Sequence, residues 1–253
     1  MGMKQLAILV GEGIECEKES HLFFERTGVF ESIQFVSVAK LLKNGRKETE
    51  FLKTGDFLFI PGGFSFADHF GAGRLLAYQL QESGLFNSAE EIGWNVLGVC
   101  NGFQMLCAAA KFGPQTRLLE NRSQAKRFGF HNRWVSLSTG GLLAEEGLRL
   151  PVRHGEGRLF FEDALPANVQ AFLYYTDPDF ENGSKDSIAG LSSQVSKARY
   201  WGMMPHPEIA QMPLHDPDVV GAEFFERFRD KVLNLDGDGM KLWKMILEYG
   251  EPK

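Results

Sequence analysis

The first 110 residues alternate short apolar runs with longer amphipathic ones, and this rhythm limits the chain to few architectures. QLAILV is followed by ECEKESHLFFERTG, ESIQFVSV by AKLLKN, DFLFI by GAGRLLAYQLQES, and WNVLGV by GFQMLCAAAKFGP. Apolar runs of four to six residues read as strands buried on both faces, and the amphipathic segments read as covering helices. The pattern predicts an α/β fold, flavodoxin-like, with an open, mostly parallel sheet flanked by helices. Gly28 is placed to stop the first helix, and Gly113 followed by Pro114 to stop the one after WNVLGV.

From about residue 131 the texture changes to RWVSL, VQAFLYY, DSIAGL and ARYWGMM, separated by Gly, Pro, Asn and Asp. These predict additional antiparallel strands on the same sheet. DVVGAEFFERFRDKVLNL and MKLWKMILEYG carry apolar residues at spacings of three and four and predict two closing helices. No repeat or linker divides the chain, so the expectation is one domain over 1–253, with a helical C-terminal extension from about 213 to 253.

Composition excludes several classes. With 43% hydrophobic and 24% charged residues the chain has the balance of a globular protein, not a disordered one. A formal net charge of -6 argues against a nucleic-acid partner. The apolar run LAILV is too short for a signal-peptide core or a membrane span, and Leu6 breaks the myristoylation pattern begun by MGMKQL. Cys16, Cys100 and Cys107 are odd in number and lack C-x-x-C spacing, which disfavours a disulfide framework and fits a cytoplasmic chain. The six histidines show no metal-ligand spacing, so no metal site is expected. His154 is placed at the rim of the site.

Within LGVCNGFQ, Cys100 falls between Gly98 and Gly102, at the corner from a predicted strand to a predicted helix. A thiol at a helix start, on a turn made sharp by small neighbours, has the setting of a nucleophile. Cys107, among Met105, Leu106 and Ala108, reads as core, and Cys16 has no base near it in sequence. A base for Cys100 is offered by MMPHPE, where His206 is followed two residues later by Glu208. If that segment ends a strand, both side chains share a side and Glu208 orients the imidazole. The glycine-rich segment PGGFSFADHFGAGR follows another predicted strand, and Gly63 is a candidate oxyanion donor together with the Asn101 N–H. A structural cysteine and a surface His-Pro-Glu turn are the plain alternatives.

These segments together resemble the class I (triad) glutamine amidotransferases. The resemblance is greatest to the glutaminase subunits of phosphoribosylformylglycinamidine synthase. GVCNGFQ is similar to the nucleophile motif, PGGFSFADHFGAG to the oxyanion loop, and GMMPHPE to the His-x-Glu ending. HGEGR at 154–158 and NGSKDSIAG at 182–190 agree, and G-x-x-x-C-E at 12–17 agrees approximately. Phe66, Ala67 and His69 depart from the Tyr, Gly and Tyr more usual in that loop, and NRSQAKRF at 121–128 is longer than the usual N-x-S-x-x-F. The resemblance implies Cys100 as nucleophile, His206 as general base and acid, Glu208 as its orienting carboxylate and Gln104 as a substrate-binding side chain. It also implies hydrolysis of L-glutamine, with ammonia passing to a synthetase subunit that converts formylglycinamide ribonucleotide to the amidine. A small bridging subunit accompanies such synthetases, and ATP and magnesium are expected on the synthetase, since this chain has no P-loop sequence. The competing readings are a cysteine hydrolase of the same fold, a glutaminase serving another synthetase, and a noncatalytic scaffold.

Overall fold

A computed structural model describes residues 4–122, 129–140, 147–218 and 235–249. Its centre is a nine-stranded sheet in the order β2-β1-β3-β4-β11-β10-β9-β6-β7. Strands β1 (Lys4–Val10), β2 (Phe30–Ser37), β3 (Phe57–Ile60), β4 (Asn95–Val99) and β11 (Ala198–Met203) form its parallel half. Strands β10 (Ile188–Val195), β9 (Val169–Tyr175), β6 (His131–Ser138) and β7 (Leu148–His154) extend it through antiparallel pairs. Every residue of β3 and β4 is buried. Coverage of both faces is the physical reason these strands read as unbroken apolar runs.

Helices α1 (Glu17–Thr27), α2 (Val38–Asn44), α3 (Arg74–Glu82), α4 (Leu85–Ile92) and α5 (Asn101–Ala108) connect the parallel strands or flank them. Gly28 ends α1 in the left-handed conformation, φ 64°, as its position predicted. The helix after β4 is shorter than expected: it stops at Ala108, ahead of Gly113 and Pro114. Helix α4 was not anticipated from the sequence, nor were β7 and the small pair β5 (Arg117–Leu119) and β8 (Arg158–Phe160).

Helix α6 (Asp238–Tyr249) closes the described chain. Its Trp243 enters an aromatic cluster, 5.0 Å from Phe24 and 5.3 Å from Phe57 between ring centroids, with Phe24 4.8 Å from Phe59. Edge-on contacts of this kind satisfy the ring quadrupoles beyond the area they bury. Among the described residues ten phenylalanines are buried in the core, while Phe35, Phe64, Phe70, Phe130 and Phe160 are exposed. The first predicted closing helix, DVVGAEFFERFRDKVLNL, lies largely outside the described residues, as does most of NRSQAKRF. Among the described residues no helix is long and apolar enough to cross a membrane.

β1 has β2 on one side and β3 on the other, so successive connections leave it in opposite directions. In doubly wound sheets a crevice opens at this switch, beyond the carboxyl ends of the strands. Cys16 follows β1, Gly62 and Gly63 follow β3, Cys100 follows β4, and His206 follows β11.

Candidate active site

Cys100 stands at the corner between β4 and α5 with φ 52° and ψ -106°, a conformation L residues rarely adopt. Its N–H donates to Met203 O at 2.8 Å, and its carbonyl accepts from the Gln104 N–H at 3.0 Å. The flanking glycines make the corner possible. A Cβ on Gly102 would overlap Ile60 O, and one on Gly98 would lie 2.6 Å from the Gly102 carbonyl carbon and oxygen. The thiol, 5% exposed, faces Arg153 O at 3.5 Å.

His206 and Glu208 are both buried, with Nδ1 and Oε1 2.6 Å apart. Strand alternation does not bring them together, contrary to the sequence-based argument. β11 ends at Met203, and Glu208 lies on a short 3-10 turn over Pro207–Ile209. The turn is held from two sides: the His206 N–H donates to Pro151 O at 2.9 Å, and the Gly239 N–H at the start of α6 donates to Ala210 O at 3.0 Å. A Cβ at Gly239 would overlap Pro207 O, so the helix start rests directly on this turn.

Burial pushes the His206 pKa down, but the Glu208 carboxylate and the Cys100 and Cys16 thiols outweigh it and hold the pKa well above 6.5. For the neighbouring Cys16 thiol the imidazole opposes a larger effect of burial, which raises its pKa. Gly62 packs between these groups. A Cβ there would sit 2.8 Å from His206 Cε1 and 3.4 Å from both Cys100 Cβ and Cys16 Sγ.

Gly63 forms an isolated bridge with Ile14. The flanking bonds run from Phe64 N to Gly13 O at 2.8 Å and from Glu15 N to Gly62 O at 3.1 Å, and neither uses the Gly63 N–H. Asn101 opens α5 with its side chain fully engaged, Oδ1 accepting from Ser65 N at 3.2 Å and Nδ2 donating to Gln104 Oε1 at 2.8 Å. Gln104 Nε2 donates in turn to Glu156 O at 2.6 Å. Gly63, Cys100, Gln104 and Glu156 share a cavity of about 290 Å³, with Asp68, Glu120 and Arg153 also on its wall. Burial, reinforced by the Glu156 charge, raises the Asp68 carboxyl to about 6.

Three further positions bear on the site. His154 borders the cavity but is almost wholly buried, 2% exposed, and burial lowers its pKa to about 3, so its ring is neutral. Asn121 braces that region, with Nδ2 donating to His154 O at 2.8 Å and to Gly129 O at 2.5 Å, while its Oδ1 accepts from Gly157 N at 3.1 Å. Cys16 has no base near it in sequence, yet it lies against His206. No local spacing signals that meeting, because β1 and β11 are brought near each other only by the sheet order. Cys107 is buried, and burial raises its thiol pKa, in keeping with a core role.

Comparison with known proteins identifies the family. Residues 3–229 match the CobB/CobQ-like glutamine amidotransferase domain. The chain is 32% identical over 230 residues to phosphoribosylformylglycinamidine synthase subunit PurQ of Picrophilus torridus, covering 84% of this chain and 90% of that protein. It is 29% identical to the same-named subunit of Dehalococcoides mccartyi, with 98% of each covered. The structure of PurLQS from Thermotoga maritima contains a chain that superposes with a TM-score of 0.70 at 25% identity, covering 99% of this chain and 100% of that one. The chain belongs to the CobB/CobQ-like glutamine amidotransferase family and is a glutamine amidotransferase of the PurQ type.

Proposed function

We propose that this chain hydrolyses L-glutamine to glutamate and ammonia at Cys100, and that the ammonia serves ATP-dependent conversion of formylglycinamide ribonucleotide to its amidine on a synthetase subunit. The observation that carries the reading is the left-handed corner at Cys100, set beside a buried His206–Glu208 pair only 2.6 Å apart.

In this mechanism His206 takes the Cys100 thiol proton as Sγ attacks the side-chain amide carbon of glutamine, and the carbonyl oxygen becomes an oxyanion facing the N–H groups of Gly63 and Asn101. His206, held as its imidazolium by Glu208, gives its proton to the departing nitrogen, and ammonia leaves a γ-glutamyl thioester. The neutral imidazole then takes a proton from water, the hydroxide adds to the thioester, and glutamate is released with the thiol restored. Gln104, fixed by Asn101 and by Glu156 O, presents a rigid amide on the cavity wall. Asp68, Glu120 and Glu156 complement the α-ammonium of the substrate.

The partner assignment follows the relatives, which carry the name of a synthase subunit, and the structure of PurLQS. The test is glutamate release by the chain alone and in a mixture with the synthetase and small subunits, ATP, magnesium and formylglycinamide ribonucleotide. A sharp rise in the complete mixture supports both the activity and the acceptor. Release that ignores the nucleotide substrate removes this acceptor, and no release in any mixture removes the glutaminase assignment.

A further inference from the structure

Cys16 is a second thiol at the proposed catalytic centre, and the mechanism above does not use it. Its backbone N–H donates to Gly62 O at 3.3 Å, which holds it beside Gly62. Its Sγ and the Cys100 Cβ lie equally close, 3.4 Å, to the position a Gly62 Cβ would take, and the His206 ring borders the same position. A ligand-capable atom from each of Cys16, His206 and Glu208 lies within 4.8 Å of the other two. His206 Nε2 is buried and, among the described residues, has no hydrogen-bond partner of good geometry.

We infer that Cys16, Cys100 and His206 form an inhibitory site for a soft divalent cation of the zinc class, with Sγ, Sγ and Nε2 as the three protein ligands. The inference rests on the reading of Cys100 and His206 as nucleophile and base. Thiolate and imidazole donors suit zinc and not the hard magnesium ion. Tetrahedral zinc needs donor atoms about 3.5 Å apart. Cys16 and His206, whose ligand atoms already lie within 4.8 Å of each other, therefore need only small side-chain adjustments, while Cys100 Sγ, which faces Arg153 O at 3.5 Å, must rotate toward them. Glu208 already holds Nδ1 at 2.6 Å. That is the carboxylate–histidine arrangement that orients a metal-binding imidazole and raises its basicity. Binding displaces the two thiol protons and the Nε2 proton of the His206 imidazolium to solvent and leaves a fourth position for water. The bound ion occupies the lone pair Cys100 needs for attack and the nitrogen His206 needs for proton transfer, so glutaminase activity stops while the fold is kept.

The cluster escapes a search for ligand motifs because its members lie on the segments that follow β1, β4 and β11, far apart in sequence.

The test uses the full chain and a chromophoric zinc chelator in competition, with wild type, Cys16→Ala, Cys16→Ser and Cys100→Ala. Thermal unfolding establishes that each variant is folded. We expect one zinc per wild-type chain, at least about tenfold weaker binding in each variant, and no competition by magnesium. In parallel, zinc should inhibit glutamate release by wild type reversibly on chelation. The half-inhibiting concentration for Cys16→Ala, normalised to its own zinc-free rate, should shift upward by the factor seen in binding. Equal zinc affinity in wild type and both Cys16 variants, or no zinc bound by wild type, overturns the site. Cys16- and Cys100-dependent binding in a wild-type chain that releases no glutamate in any mixture leaves the metal site standing and overturns the glutaminase reading instead.

Discussion

Gly62→Ala tests how tightly the centre is built. The added Cβ would lie 2.8 Å from His206 Cε1, about 0.6 Å inside an ordinary carbon–carbon contact of about 3.4 Å, while its 3.4 Å distances to Cys100 Cβ and Cys16 Sγ are acceptable. The backbone at Gly62 is not in the left-handed region, so the substitution acts through the imidazole alone. The ring cannot easily swing away, because Glu208 holds Nδ1 at 2.6 Å and His206 is 2% exposed. A displacement of about 1 Å at reacting groups costs on the order of a hundredfold in rate, so we expect about ten- to a hundredfold lower kcat. One small overpacking contact costs about 1 kcal/mol of stability, so the protein should stay folded. The assay is glutamate release in the assembled mixture, with alkylation of Cys100 followed by peptide mass mapping as a readout independent of partners. A folded Gly62→Ala protein with wild-type kcat and wild-type Cys100 alkylation would refute the argument that His206 is locked against this glycine.

Other perturbations separate the roles. Glu208→Gln removes a charge whose attraction to the imidazolium is about 4 kcal/mol at 4 Å and an effective dielectric of about 20, so kcat should fall about a thousandfold, and a loss below tenfold would contradict the orienting role. His206 has a raised folded pKa, so its protonation stabilises wild type fully below pH 6.5, and this is lost as pH rises through the folded value. Thermal unfolding of Glu208→Gln should show a weaker decline, because the largest influence opposing burial of the charged ring is gone. Asp68 titrates at about 6, so kcat/KM for glutamine should fall as pH drops through that value and the α-ammonium loses its partner. Asp68→Asn should lack this limb, and an unchanged profile would remove Asp68 from substrate binding. Ala67 has φ 53°, where an L residue costs roughly 1–2 kcal/mol. Ala67→Gly should raise Tm by about 2 °C after the greater unfolded-state entropy of glycine is offset, and a lower Tm would show that the loop is not strained there.

The parts visible in the sequence are those set by local rules. β1, β3 and β4 are apolar because both faces are covered, α1 ends where Gly28 permits φ 64°, and Cys100 is marked by the two glycines its corner requires. What escaped depends on context. β7 contains Pro151, which a central strand would not tolerate, and it survives because β7 is the edge of the sheet. Helix α4 has only eight residues and lies between Gly84 and Gly93, too brief to establish a period. The His206–Glu208 contact was expected for a reason the backbone does not supply: a 3-10 turn and the base of α6, not strand alternation, bring the groups together. Cys16 and the burial of His154 were out of reach because each depends on which strands become neighbours, and short-range spacing carries no such information.

The central claim, that Cys100 chemistry supplies ammonia, is tested most directly by Cys100→Ser in the complete mixture, with amidine formation measured once from glutamine and once from an ammonium salt. Loss of glutamine-dependent synthesis with ammonia-dependent synthesis retained is the predicted result. Retained glutamine-dependent synthesis, or equal loss from both nitrogen sources in a folded, assembled protein, would contradict it.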